Sequence, residues 1–164
     1  MITLRKAKEQ DLSVIADIAE RTWPLTYGDI ISSEQLRYML DRMYNHAELL
    51  LQLEKGHTFL ILSNDMIDIG FAGFSADENE SNVYKLHKLY VLPDAHGGGF
   101  GKFLINEVVD QVRKAGGAYL QLNVNRANKA KDFYERMGFR VKETVDIDIG
   151  NGYYMNDYVM EIAL

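Results

Sequence analysis

The chain has no cysteine among its 164 residues. That excludes disulfides, thiolate-held metals and a cysteine nucleophile. Its four histidines are scattered without metal-ligand spacing, so no metal is expected. Proline is scarce, with two residues, and no repeat, low-complexity tract or linker-like stretch breaks the chain. A single domain over residues 1–164 is expected, long enough to bury a core. No apolar run approaches the roughly 20 residues that cross a bilayer. The opening Met-Ile-Thr-Leu-Arg-Lys-Ala-Lys alternates like a strand and lacks the apolar centre of a signal peptide. The expectation is a cytoplasmic protein without a membrane partner. An excess of positive charge is also missing: 18 Lys and Arg stand against 24 Asp and Glu, a formal net charge of −6. This argues against general nucleic-acid binding and mildly favours the approach of cations.

What is present is a shifting period. Ile2–Ala7 alternates as a strand, and Asp11–Trp23 carries a helical stripe that Pro24 is expected to end or bend. Ser32 with Gln35 has the pattern of a capping box before a helix with Leu36, Met39, Leu40 and Met43 on one face. Asn45-His46 interrupts it, and Ala47–Lys55 reads as a further helical piece. Strands follow at Thr58–Ser63, Met66–Ala76 and Val83–Leu92, with a turn at Asn64-Asp65. Phe100–Ala115 reads as a buried helix, Ala118–Val124 as a strand, and Asn128–Met137 as a helix closed by Gly138. Phe139–Ile149 and Tyr153–Ala163 are strands about a Gly150-Asn151-Gly152 turn. Runs of antiparallel strands thus surround a βαβ core, a mixed α/β (α+β) architecture.

The densest signal lies at residues 89–104. A β-rich run stops at Pro93, four glycines follow within Gly97–Gly101, and an apolar helical stretch begins at Phe100. Strand, glycine loop and helix in that order can turn backbone N–H groups toward one point at the positive end of a helix dipole. A phosphate or pyrophosphate is the natural occupant. A P-loop is excluded, because Gly101-Lys102 is followed by Phe103 and not by Ser or Thr. The dinucleotide fingerprint is excluded too, because Gly97 and Gly99 call for a glycine where Lys102 stands. Read alone, each glycine is equally a tight turn or a close packing point.

His96-Gly97-Gly98-Gly99-Phe100-Gly101 resembles the acyl-CoA loop of the GCN5-related N-acetyltransferases (GNAT), with His96 where Arg or Gln is usual. The order of elements is similar along essentially the whole chain. Trp23–Tyr44 and the C-terminal Gly-Tyr-Tyr-Met-Asn-Asp-Tyr-Val-Met further resemble a bacterial subgroup that includes polyamine acetyltransferases. The resemblance implies a mixed, mostly antiparallel sheet of about seven strands with about four helices. It implies acetyl-CoA as cosubstrate and an amine as acceptor, small or peptidic. It places the pantetheine arm against Leu89, Tyr90 and Val91, where parallel strands splay, and the pyrophosphate on His96, Gly97, Gly98, Gly99, Phe100, Gly101 and Lys102. CoA is anionic, and Lys88, His96, Lys102 and Arg126 are the basic residues at hand.

Phe133-Tyr134-Glu135-Arg136-Met137-Gly138-Phe139 resembles the family's second signature. There Tyr134 would give a proton to the departing thiolate, although it also falls on the apolar stripe of its helix. Asn128 would contact the CoA arm or cap that helix; it stands six residues before Tyr134, one fewer than is common. Some family members carry a glutamate base on the central strand. The matching stretch Tyr84–Leu89 has no carboxylate, and Lys85 takes its position. Alternation puts Lys85, His87 and Leu89 on one face, with His87 a general base or a satisfied histidine. Tyr or Asp residues of other segments are further candidates. Trp23, Tyr27 and Tyr38 would line the acceptor pocket or pack. The missing carboxylate also supports an alternative, a non-catalytic CoA-binding regulatory or sensing domain. The β-rich C-terminal hairpin is compatible with a homodimer, and the oligomeric state stays open.

Overall fold

The computed structural model describes residues 1–164. Seven strands form one sheet in the order β1-β2-β3-β4-β5-β7-β6, where β1 is Ile2–Lys6, β2 Thr58–Asn64, β3 Ile67–Ala76, β4 Val83–Val91, β5 Tyr119–Asn125, β6 Arg140–Gly150 and β7 Tyr153–Ala163. Every pairing is antiparallel except β4 with β5. Helices α1 (Leu12–Tyr27), α2 (Ser33–Met43) and α3 (His46–Glu54) cover one face, and α4 (Phe100–Lys114) and α5 (Ala130–Arg136) the other. Strand alternation sorts β2 between them: Phe59 and Ile61 pack with Leu12, Ile15, Trp23 and Leu49, while Leu60 and Leu62 pack with Leu104, Ile105 and Val108. With both faces covered, the central strands read as continuous apolar runs.

Three boundaries depart from the sequence reading. Helix α1 runs through Pro24 to Tyr27. Pro24 and Glu20 are both exposed, so the Glu20 carbonyl that loses its donor faces water. The helical piece read at Ala47–Lys55 is a helix in its own right one residue earlier, at His46–Glu54, which brings the helices to five where about four were implied. Asn45 supplies the break: its Oδ1 accepts from the Glu48 N–H at 2.8 Å, and its Nδ2 donates to the Asp41 carbonyl at 2.8 Å. One amide therefore ends α2 and starts α3. The β2–β3 turn sits one residue later than expected, with Asp65 and Met66 at φ 50° and 69° and Asn64 paired with Ile67. The last hairpin turns on Asn151-Gly152, both at positive φ, as a two-residue turn demands.

A fourth departure bears on the site. In the β3–β4 ladder Gly73 pairs with Lys88 but the next partners are Phe74 and Leu86, so His87 is an extra residue on β4. This bulge breaks the alternation. Lys85 and His87 stay on the α1–α3 side, while Leu89 packs with α4 on the other. The expected common face of Lys85, His87 and Leu89 is corrected accordingly. Lys88 also goes to the α1–α3 side, over the rings of Tyr44 and Phe59 at 5.3 and 5.8 Å.

Candidate active site

The two parallel strands part company early. Pairing of β4 with β5 covers four positions, Val83 with Tyr119 to Leu86 with Leu122, although the strands run on to Val91 and Asn125. A cavity of about 480 Å³ opens in the resulting gap. Its walls are the end of β4 (Leu86–Val91), the glycine loop, Leu122–Val124 of β5, Asn128, and Phe133 and Tyr134 of α5.

At the mouth of the gap, the loop holds Gly97 at φ 86° and Gly99 at φ 77°, a conformation that a Cβ disfavours. No N–H from Gly97 through Lys102 has an acceptor within the protein; the first amide of the segment that does is Phe103, bonded to Gly99. Six consecutive donors at the start of a fifteen-residue helix form an anion cradle. Of the predicted loop residues, Gly98 does not line the cavity, and a Cβ there would meet the Phe100 ring at 2.5 Å. His96 lines it, but its Nε2 lies 2.8 Å from the Val91 carbonyl, which can only accept. The ring thus ties the loop to the end of β4. Among the basic residues expected nearby, Lys88 bonds Gln52 Oε1 at 3.0 Å, and Arg126 pairs with Asp146. Lys102, exposed in the first turn of α4, lines the cavity without an ion-pair partner.

Tyr134 stands at the inner end, 8 % exposed, edge-on to Phe133 and Phe139. Tyr134 packs in the core and lines the cavity at once, so its packing does not conflict with a role for its hydroxyl. Burial, and to a smaller extent Tyr27, raises its pKa, and no protein group bonds its hydroxyl. Tyr27 and Tyr90 share a hydrogen bond of 2.9 Å beside it. Asn128 lines the cavity while its Oδ1 accepts from the Ala130 N–H at 2.9 Å. Its side chain thus forms the entry turn of α5, which begins at Ala130 and not at Asn128.

A second cavity of about 200 Å³ adjoins the first and shares Tyr27, Leu86, His87, Tyr90 and Asn123 with it. Trp23 and Tyr27 line this cavity; Tyr38 lines neither. The Tyr38 hydroxyl donates to the Ile149 carbonyl at 2.9 Å and fastens α2 to the β6–β7 hairpin. His87 stacks on His57 with centroids 4.5 Å apart and has Nε2 2.7 Å from Ser75 Oγ. Burial, then His57, Lys88 and Lys85, lowers its pKa, so the ring is neutral at neutral pH.

Sequence reasoning passed over the group with the strongest local demand. Asp157 of β7 is 1 % exposed, lines the second cavity, and has no hydrogen-bond partner on either carboxylate oxygen. Asn123 Oδ1 beside it is likewise buried and unpartnered. The one sequence signal was an acid at an inward register position of β7, between Met155 and Val159.

Known proteins agree with this geometry. Residues 29–161 match the family described as acetyltransferase (GNAT) domain. An uncharacterised N-acetyltransferase of Mycobacterium tuberculosis is 28% identical over 152 residues, 92% of this chain and 96% of its own. The spermidine N(1)-acetyltransferase of Thermoplasma acidophilum is 28% identical over 153 residues, 87% of this chain and 91% of its own. Among solved structures, the PaiA N-acetyltransferase from Thermoplasma acidophilum in complex with coenzyme A superposes with a TM-score of 0.83 at 26% identity, covering 100% of this chain and 99% of that one. With the parted strands and the amide cradle in place, the chain belongs to the GNAT acetyltransferase family.

Proposed function

We propose that the protein transfers the acetyl group of acetyl-CoA to a primary amine, a small molecule such as a polyamine or a peptide amine, by direct attack in a ternary complex. The observation that carries this reading is the continuous path from the six free amides, along the gap beside β4, to Tyr134. The pyrophosphate sits on Gly97–Lys102, with Lys102 adding charge. The pantetheine amides find backbone partners on Leu89, Tyr90 and Val91, where no strand pairs on the β5 side. The acceptor nitrogen, stripped of its proton, attacks the thioester carbon. The C–N bond forms, the C–S bond breaks, Tyr134 donates its phenolic proton to the leaving sulfur, and the proton that the nitrogen sheds on becoming an amide restores the phenol. Its raised pKa keeps that proton in place until the thiolate develops. His87 lines both cavities and is held neutral, but burial lowers its pKa to about 3, so it is a weak base: it offers the amine a hydrogen-bond partner, while the ammonium proton leaves to solvent.

Two measurements test the reading. Acetyl-CoA at about 100 times its Kd stabilises the fold by roughly 2.7 kcal/mol, about 5–10 °C in Tm for a chain of this size. A panel of amines then releases free thiol from acetyl-CoA. A Tm shift with no thiol release from any amine assigns the alternative, a CoA-binding sensor; no shift removes both.

A further inference from the structure

A buried carboxylate without a donor is costly to keep ionised, and proteins rarely leave one so. Asp157 is in that state, and what surrounds it is a pocket and not a packed core. The walls are aromatic: Trp23, Tyr27, Tyr44, Tyr90 and Tyr154 all line the same cavity. A desolvated negative charge within aromatic faces suits an alkylammonium group, through charge and through the ring quadrupoles. The resident cations do not meet this demand. Lys85, on β4, lines the cavity but forms no ion pair with Asp157, and Arg126 is committed to Asp146. The other groups facing the carboxylate are the hydroxyl of Tyr27 on α1 and Asn123 of β5, whose side-chain amide is the one neighbouring neutral donor that favours the charged form, although no bond to either carboxylate oxygen closes within hydrogen-bond geometry. Burial raises the Asp157 pKa, opposed by Asn123, Lys85 and Arg126.

Position decides the role. Asp157 lines the second cavity and not the first, where the thioester would lie. The group it holds is therefore not the nitrogen that attacks. We infer that Asp157 is the specificity-determining residue for the acceptor: it holds one ammonium group of a slender aliphatic diamine or polyamine, while the other amine is presented at the junction formed by Tyr27, His87, Tyr90 and Asn123. The cavity of about 200 Å³ is below the usual size of a drug-like pocket and suits an unbranched chain. This inference rests on the acetyltransferase reading and selects a diamine over a peptide amine.

The test uses binding, so that it does not depend on turnover. 1,4-Diaminobutane, spermidine and n-butylamine are titrated calorimetrically into the whole protein, the Asp157→Asn variant and the Asp157→Ser variant. The wild type is expected to bind at least one of the two polyamines at least tenfold more tightly than the monoamine. Both variants are expected to lose that preference while keeping the acetyl-CoA Tm shift of the wild type. Their own Tm should be equal or higher, because an unpaired buried charge has been removed; a purely structural Asp157 would lower it. Equal affinity of the wild type for polyamines and monoamine overturns the inference whatever the variants do, and so does a preference that survives in Asp157→Asn. Failure of acetyl-CoA to bind any of the three proteins instead sinks the acetyltransferase reading, and the amine titrations still decide Asp157.

Discussion

Replacing Tyr134 by Phe removes one oxygen atom and leaves the ring contacts with Phe133 and Phe139 in place. If the phenol protonates the leaving thiolate, kcat falls by about 10²-fold or more while the Kd for acetyl-CoA moves little. A steady-state comparison with calorimetric Kd values checks this, and an unchanged kcat removes the acid role. Lys88 supports a different kind of test. Burial lowers its pKa from 10.5 to about 8, with Glu48 opposing. Below pH 8 the ammonium is charged in both folded and unfolded chains, and the folded state carries the full desolvation cost. Between about pH 8 and 10.5 the native protein sheds this proton while the unfolded chain keeps it, so stability climbs with pH, by of order 3 kcal/mol in total. Denaturant unfolding at about pH 7 and 9.5 should show that rise for the wild type and lose it in Lys88→Met. A slope that is equal in the two proteins refutes the assignment.

At the scale of elements, the loop between β4 and α4 is where local sequence and local structure agree most closely. Gly99 has φ 77°, and a Cβ added there would meet no atom within 4 Å, so Gly99→Ala meets only backbone strain. The expected loss of stability is about 1–2 kcal/mol. The expected loss of acetyl-CoA affinity is at least tenfold, because the chain leaves the conformation that aims its amides outward. Unfolding curves and titrations separate the two, and undiminished affinity would mean that these amides do not grip the diphosphate. Such a loop is legible in sequence because its glycines, its preceding strand and its following helix are contiguous. The helix start at Ser32 with Gln35 is legible for the same reason, whereas at Asn45 the sequence shows an interruption and the structure adds the cap on Glu48. The bulge at His87 is not: it has no glycine to mark it and is fixed by the register of β3 against β4. Asp157 was missed because its burial is made by distant partners. β7 pairs with β5 on one side and β6 on the other, and α1 and α2 close over it. The position on β4 where a carboxylate would serve holds Lys85, and the acid that faces the cavity stands two strands away, on β7.

For the molecule as a whole, the charge of −6 and the site chemistry pull in opposite directions. The acceptor proposed above is drawn in by the overall field, and the anionic cosubstrate is admitted by a few amides and one lysine. The sheet itself is two antiparallel leaves, β1-β2-β3-β4 and β5-β7-β6, sewn together by a four-residue parallel seam. Such a seam is the natural hinge of the molecule, and a coenzyme lying along it touches both leaves at once. Hydrogen exchange should therefore find the two leaves opening with different free energies in the free protein. With acetyl-CoA bound, amides of β5 nearest the gap should slow toward the rates of β4. The cosubstrate then serves as a rivet, joining the leaf that carries α1 and β4 to the leaf that carries β7.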